Sequence, residues 1–285
     1  MTEAADLITT RAGSASDAGL RRAINEDSML AASPLFLVAD GMGGHHAGEI
    51  ASGTVIDVFA AHVGRDSLSI DDVQTALAQA RSAVAQLPAG TSAGAGTTLT
   101  GVVVADVGDE GYWLVFNIGD SRTYLLSDGV FEQISVDHSV VQELVDSGQL
   151  DAAAAAVDAR RNVITRAIGG GGDSDADFWL IPADAGDRVL ACSDGLPGEL
   201  SRAEIEAILR SETVPQDAAE RLVREAVRRG GRDNITAVVV DALSVRSRAG
   251  GADIHSTLPS AARSAEADPF DADTRPRVAA GGDRR

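Results

Sequence analysis

The chain has 285 residues, of which 44% are hydrophobic and 24% charged, with a net charge of −19 from 43 acidic and 24 basic side chains. Every basic side chain is arginine; there is no lysine. That length supports a substantial core without disulfides, the acidity excludes nucleic acid and anionic membrane surfaces as partners, and one cysteine, Cys192, excludes an intrachain disulfide framework.

From the N-terminus, MTEAADLITT has no basic start and no long apolar core, so it does not read as a signal peptide. No stretch approaches the roughly 18 apolar residues that cross a bilayer, and a cytoplasmic setting is expected. The run RRAINEDS clusters Arg22, Glu26 and Asp27; read alone it is a solvated turn. LFLVAD reads as a strand ending in Asp40 and is followed by GMGGHHAGE. GEIASGTVIDVFAAHV and DDVQTALAQARSAVAQL carry apolar residues at helical spacing.

Next come the strand-like runs TTLTGVVVA and YWLVFNIG, the latter leading into Asp120. RTYLLS and VFEQIS follow, joined through Ser127–Val130 by an Asp-Gly hairpin turn. SVVQELVDSG reads as a helix. The Gly169–Gly172 run lacks the Lys-Ser/Thr of a phosphate-binding loop and is read as a plain loop. FWLIP and RVLACS are strands, the second ending at Asp194. SRAEIEAILR and PQDAAERLVREAVRRG are helices, and Asp233 precedes the strand ITAVVVD.

Helices come in pairs between groups of strands rather than after each strand. This argues for an α+β fold with antiparallel sheets and outer helices, against a doubly wound parallel sheet. Residues 1–243 form the folded domain. Residues 244–285, rich in Ala, Gly, Asp, Arg and Pro, read as a disordered C-terminal tail. No heptad seam or repeated apolar stripe is evident, so a monomer is expected.

Four aspartates, Asp40, Asp120, Asp194 and Asp233, lie at strand ends, three of them beside glycine. Brought together they repel one another and need a cation; oxygen ligands favour Mg²⁺ or Mn²⁺. An arginine nearby would clamp phosphate with its fork. There is no G-x-S-x-G elbow, and Cys192 has no histidine close in sequence. Water is therefore the expected nucleophile.

The ordered set RAINEDS, ADGMGGHHAGE, GTTLT, NIGDSRTYL, DHSVVQELVDSG, NVITRAIG, CSDGL and GGRDNITAVVV resembles the bacterial metal-dependent protein phosphatases of the PPM family, type 2C, from about Leu7 to Leu243. The resemblance implies an α-β-β-α sandwich, two stacked antiparallel sheets flanked by helix pairs, with a cleft for two Mn²⁺ or Mg²⁺ ions at one end. It implies dephosphorylation of phosphoserine and phosphothreonine by a metal-bridged hydroxide, opposing serine/threonine kinases, which with their substrates are the implied partners. The alternative is a catalytically silent binding protein on the same fold.

By motif, Asp40 resembles the carboxylate bridging both ions, and the Gly41 carbonyl a ligand of the second. Asp194 and Asp233 resemble ligands of the first, and Glu26 the acid on the second-metal side. Asp27 resembles a group holding metal-bound water, and Arg22 the phosphate-binding arginine. Asp120 with Asp194 matches a third, weaker ion site, and Asn234 a supporting residue behind the site. Three departures stand out. Met42 follows Asp-Gly where many eukaryotic members have histidine, leaving His45 or His46 as proton donors if either has that role. Pro197 and Gly198 stand where relatives often carry an acid, removing a contributor to the third site. The segment Val140–Arg166 matches a flap beside the active site. His138, in DHS, is expected to be structural.

Overall fold

The computed structural model describes residues 6–43, 46–87, 94–155, 158–160, 163–169 and 175–247. His45, most of the tail and all but the first glycine of the Gly169–Gly172 run lie outside the described residues. Two antiparallel sheets stack face to face. The first has five strands: β1 (Ile8–Asp17), β12 (Ile235–Val245), β11 (Arg188–Cys192), β7 (Arg122–Ser127) and β8 (Val130–Gln133), in that order. The second runs β10 (Asp177–Pro182), β6 (Glu110–Ile118), β5 (Leu99–Val107), β3 (Leu35–Met42), β4 (Gly96–Thr97) and β9 (Ile168–Gly169), with β2 (Asp27–Ala32) also paired to β3.

Helices α1 (Ala47–Ala60) and α2 (Ile70–Ala85) cover the outer face of the second sheet. Helices α5 (Gly195–Glu199), α6 (Arg202–Ser211) and α7 (Pro215–Arg229) cover the first. Two shorter helices, α3 (Val140–Asp146) and α4 (Ala152–Ala155), lie in the segment read as a flap. The α-β-β-α order matches the expectation. Helix starts are set by local chemistry: Ser69 and Ser201 close capping boxes with Asp72 and Glu204, and Pro215 opens α7. The Asp-Gly hairpin forms as read, with Asp128 and Gly129 both at positive φ between paired Ser127 and Val130.

Alternation along the central strands divides their side chains between two cores. Leu35, Leu37 and Ala39 face the helices with Leu114, Phe116 and Ile118. Phe36 and Val38 face the other sheet, together with Val102, Trp113, Val115, Val189, Ala191, Val238 and Val240. Continuing these inter-sheet rows by period two leads from Phe36 and Val38 to Asp40. It leads from Ala31 and Met29 to Asp27, from Val189 and Ala191 to Ser193, and from Val240 and Val238 to Thr236 and Asn234. At one end of the sandwich the apolar filling gives way to polar side chains.

Several elements differ from expectation. Strands β1, β2 and β9 lie outside the runs that read as strands, the TTLTGVVVA run divides at Thr98 into the end of β4 and β5, and Gly169, read as loop, ends β9. β1 (ITTRAGSASD) has one large apolar residue; its backbone pairs along β12 and packs beneath α7. β12 runs to Val245, and the Arg246 N–H donates to the Leu7 carbonyl at 2.8 Å, so pairing extends into the stretch assigned to the tail.

Phe116 is fully buried between Phe59, at 5.7 Å between ring centroids, and Phe178, at 6.2 Å. Phe116→Ala should destabilise the fold by about 3–5 kcal/mol, measured by urea denaturation. A loss below about 1 kcal/mol would contradict the packing of helices on this sheet.

Candidate active site

The polar end of the sandwich opens into a cleft of about 240 Å³ lined by Arg22, Glu26, Asp40, Gly41, Asp120, Asp194, Asp233 and Asn234, with Met42, Gly43, Thr98 and Ile164. Each element contributes through its end. Asp40 sits near the end of β3, where its N–H donates to Thr98 Oγ1 at 3.0 Å and its carbonyl accepts from Thr97 Oγ1 at 2.9 Å. Asp27 opens β2 directly opposite Asp40 in the ladder. Asp120 occupies the corner between β6 and β7, Asp194 the residue before α5, and Asp233 the approach to β12. Of the residues given metal or phosphate roles in the sequence, Arg22, Glu26, Asp40, Gly41, Asp120, Asp194 and Asp233 therefore meet here, while Asp27 is not part of the lining.

Two glycines allow the close approach of chain segments. A Cβ on Gly41 would fall 2.2 Å from the Gly48 carbonyl oxygen, and one on Gly48 would fall 2.6 Å from Glu26 Oε1. Any side chain at either position would push β3, α1 and the Glu26 segment apart.

Burial and mutual repulsion dominate the electrostatics. Burial first, then the negative charges of Asp27, Asp194, Asp120 and Asp233, hold the Asp40 carboxyl well above the usual carboxylate range. Asp194 is raised by burial and by Asp233, offset by a hydrogen bond with Asp40 and by Arg122 and Arg22. Asp120 is pushed up to about 7 by burial, Asp194 and Asp137. Asp27 is pushed up to about 6 by burial, against hydrogen bonds from Thr236 and Ser193. Ser193 Oγ donates to Asp27 Oδ2 at 2.8 Å, whereas the buried Asp27 Oδ1 has no partner.

Arg22 supplies the nearest positive charge, its Nη2 donating to Asp233 Oδ2 at 2.8 Å. Asn234 ties the segment carrying Arg22 and Glu26 to the start of β12. Its amide donates to the Ala18 and Ile24 carbonyls at 3.1 and 2.9 Å, and its Oδ1 accepts from the Glu26 N–H at 2.9 Å.

The donor chemistry fits hard divalent cations: all candidate ligands are oxygen, Asp40, Asp120 and Asp194 are too crowded to ionise freely, and one buried acceptor, Asp27 Oδ1, is unsatisfied. The side chains as placed do not close on one point. Among the described residues no three His, Cys, Asp or Glu side chains form a group that could hold a metal ion as it stands. Asp233 in particular is turned toward Arg22 and the Asn234 N–H.

His46 begins α1 at positive φ, with its Nδ1 3.3 Å from Glu49 Oε2, and does not line the cleft. His138 is structural, as expected. Its Nδ1 accepts from the Gly119 N–H at 3.2 Å and its Nε2 meets Asp177 at 3.1 Å. With Nδ1 accepting, the ring is the neutral Nε2–H tautomer, and burial lowers its pKa accordingly.

Residues not anticipated from the sequence include Ser193 and Thr236, which hold Asp27. Arg122, bound to Asp137 at 2.6–3.1 Å, also faces the site. The one available signal for the first two was period-two continuation of the inter-sheet rows. Beyond the cleft, sharing Asp120, Asp194 and Asp233, lies a cavity of about 640 Å³. Val141, Gln142 and Val145 of α3 form one wall, and Pro197, Glu199 and Arg232 another. The segment read as a flap thus borders the site.

A family model described as protein phosphatase 2C matches residues 21–244. The serine/threonine protein phosphatase PstP of Mycobacterium tuberculosis is 40% identical over 242 residues, covering 82% of this chain. The chain spans only 45% of that relative's length. The serine/threonine phosphatase stp of Listeria innocua is 34% identical over 216 residues, covering 73% of this chain and 84% of the relative. A solved structure of the catalytic domain of serine threonine protein phosphatase PstP, in complex with two manganese ions, superposes with a TM-score of 0.72 at 37% identity. It covers 81% of this chain and 97% of its own.

Folded Asp27 and Asp120 hold their protons up to about pH 6 and about pH 7, whereas an unfolded aspartate loses its proton near about 4. Between these values the folded state binds more protons. The stability contributed by the protonated forms is complete below about pH 4 and is lost as pH rises to about 7. In chelator, wild-type thermal stability should therefore fall more steeply between about pH 5 and about pH 7.5 than that of Asp120→Asn. Equal slopes would contradict the burial of Asp120 among like charges.

Proposed function

The chain belongs to the protein phosphatase 2C family, and from that premise we propose that it is a metal-dependent serine/threonine protein phosphatase, hydrolysing phosphoserine and phosphothreonine on proteins. The observation that carries this reading is the convergence of Asp40, Asp120, Asp194 and Asp233 on one cleft with Arg22 on its wall.

In this reading Asp40 would be shared between two ions, the Gly41 carbonyl and Glu26 would help hold one, and Asp194 and Asp233 the other. Asp120 with Asp194 offers a third, weaker position. Hard oxygen donors suit Mn²⁺ and Mg²⁺ alike. Such ions, when bound, neutralise the carboxylates, polarise phosphoryl oxygens and make water a better nucleophile.

The remaining work falls to the chain. Arg22 offers two parallel N–H donors to phosphoryl oxygens. Its side chain is about half exposed and already carries an anionic partner, so a phosphoryl group can replace Asp233 without leaving the arginine unpaired. Asp27, with its unsatisfied Oδ1, orders water behind Asp40. No side chain attacks phosphorus: Cys192 is buried with its thiol pushed up to about 12, and Ser193 points inward to Asp27. Water is then the nucleophile and no phosphoenzyme forms.

No helix among the described residues is long and apolar enough to cross a membrane. We place the protein in the cytoplasm as a monomer that opposes serine/threonine kinases, with the phosphatase domain carried past residue 243 to the end of β12 and the kinases' phosphorylated substrates as its own.

On a phosphothreonine peptide, phosphate release should require Mn²⁺ or Mg²⁺, cease in excess EDTA, and fall at least ~100-fold in Asp194→Ala. Full activity in EDTA or in the variant would refute the reading. Manganese binding by the folded protein without turnover would favour a binding protein on the same fold.

A further inference from the structure

Asp233 and Asn234, consecutive in the chain, hold two ends of the same device. Asp233 Oδ2 accepts from the Arg22 guanidinium at 2.8 Å. Asn234 holds the backbone on both sides of Arg22, at Ala18 and Ile24, and the Glu26 N–H beyond it. These contacts span more than 200 residues of sequence. Asn234 is 6% exposed, and each polar atom of its side chain is engaged in them. Among the described residues, backbone bonding within 18–26 is sparse: the Leu20 N–H donates to the Gly231 carbonyl and the Glu26 carbonyl accepts from the Gly41 N–H. No regular element contains Arg22. The arginine arm therefore has no helix or strand of its own to fix it.

The surroundings of Asn234 are equally fixed. Its N–H donates to Asp233 Oδ1 at 2.9 Å, and a Cβ on Gly195 would fall 2.0 Å from its carbonyl oxygen, so α5 lies directly against it. The segment bearing Arg22 is thus referred to the backbone that carries Asp194 and Asp233.

We propose that Asn234 is the positioning residue for Arg22, setting the distance between the phosphate-binding guanidinium and the carboxylate cluster by clamping residues 18–26 to the start of β12. The proposal rests on the phosphatase reading above. Both polar atoms of the Asn234 side chain are taken up by backbone groups, so in this proposal it acts through the arginine and not on the substrate. A displacement of about 1 Å of such a group costs on the order of 100-fold in rate. An aliphatic replacement would also leave two carbonyls and one N–H without partners.

The test is a double-mutant cycle on phosphothreonine peptide with saturating Mn²⁺, combined with backbone hydrogen exchange in chelator. Asn234→Ala should lower kcat/KM by roughly 10- to 100-fold when Arg22 is present. In an Arg22→Ala background it should lower it by less than about 3-fold, the coupling expected when one residue acts through another. Exchange should quicken at Leu20 and Glu26 while the β12 amides from Ala237 to Val240 stay protected. If Asn234→Ala does not fold, the isosteric Asn234→Asp carries the same cycle, since it keeps an acceptor for Glu26 and loses both donors. Equal losses in both backgrounds, or no loss with Arg22 present, would overturn the proposal. If wild type itself releases no phosphate, the phosphatase reading fails. Exchange then decides the clamp alone: faster exchange confined to 18–26 supports it, and unchanged exchange overturns it.

Discussion

The site depends on the crowding of carboxylates around a cleft at one end of the sandwich. Desolvation raises the cost of ionising Asp27, Asp40, Asp120 and Asp194, and proximity to other carboxylates raises it further. Asp194 and Asp40 lie close enough for each to shift the other's titration, and Arg22 balances Asp233. A fold keeps such an arrangement only where something recovers its cost. Polyvalent positive charge on oxygen donors does so, and a phosphoryl group is the natural anion to meet that charge.

The sandwich makes the crowding possible. Each sheet is fastened from outside by its own helices and from inside by the shared filling of Trp113, Phe36, Val102 and the valines of β12. Strand ends inherit that rigidity, so carboxylates there do not drift apart to relieve repulsion. Buried ion pairs fasten the periphery in the same manner. Arg188 bonds Asp241 through two nitrogens and also donates to the carbonyls of Leu209 and Glu212, tying the end of α6 to the central strands β11 and β12. The parts of the site outside this frame are the 18–26 segment and the segment of α3 and α4, which border the cleft and the adjoining cavity.

Much of this was legible in the sequence. LFLVAD, YWLVFNIG, RVLACS and ITAVVVD read as strands because both faces are apolar, and both faces turn out to be covered. Asp40, Asp120, Asp194 and Asp233 were recognisable as aspartates at strand ends. β1 was not legible, because its alternation is carried by Thr, Ala, Gly and Ser, and its partner β12 lies more than 200 residues away. β2 stayed hidden because every one of its residues is half-buried. Asn234 could be named beside Asp233, but its grip on Ala18, Ile24 and Glu26 is tertiary, and no local pattern announces it. Period-two continuation would have found Ser193 and Thr236 once the inter-sheet face of each strand was known. That face emerges only when the two sheets are stacked.

The most direct measurement is titration calorimetry of Mn²⁺ into the chelator-stripped protein near neutral pH, repeated in two buffers with different ionisation enthalpies. Crowded carboxyls that hold protons must surrender them to bind a cation. The account predicts saturable binding of about two ions with an apparent enthalpy that depends on the buffer, showing proton release that shrinks as pH rises. Binding with no buffer dependence near neutral pH, or no binding by the folded protein, would contradict it.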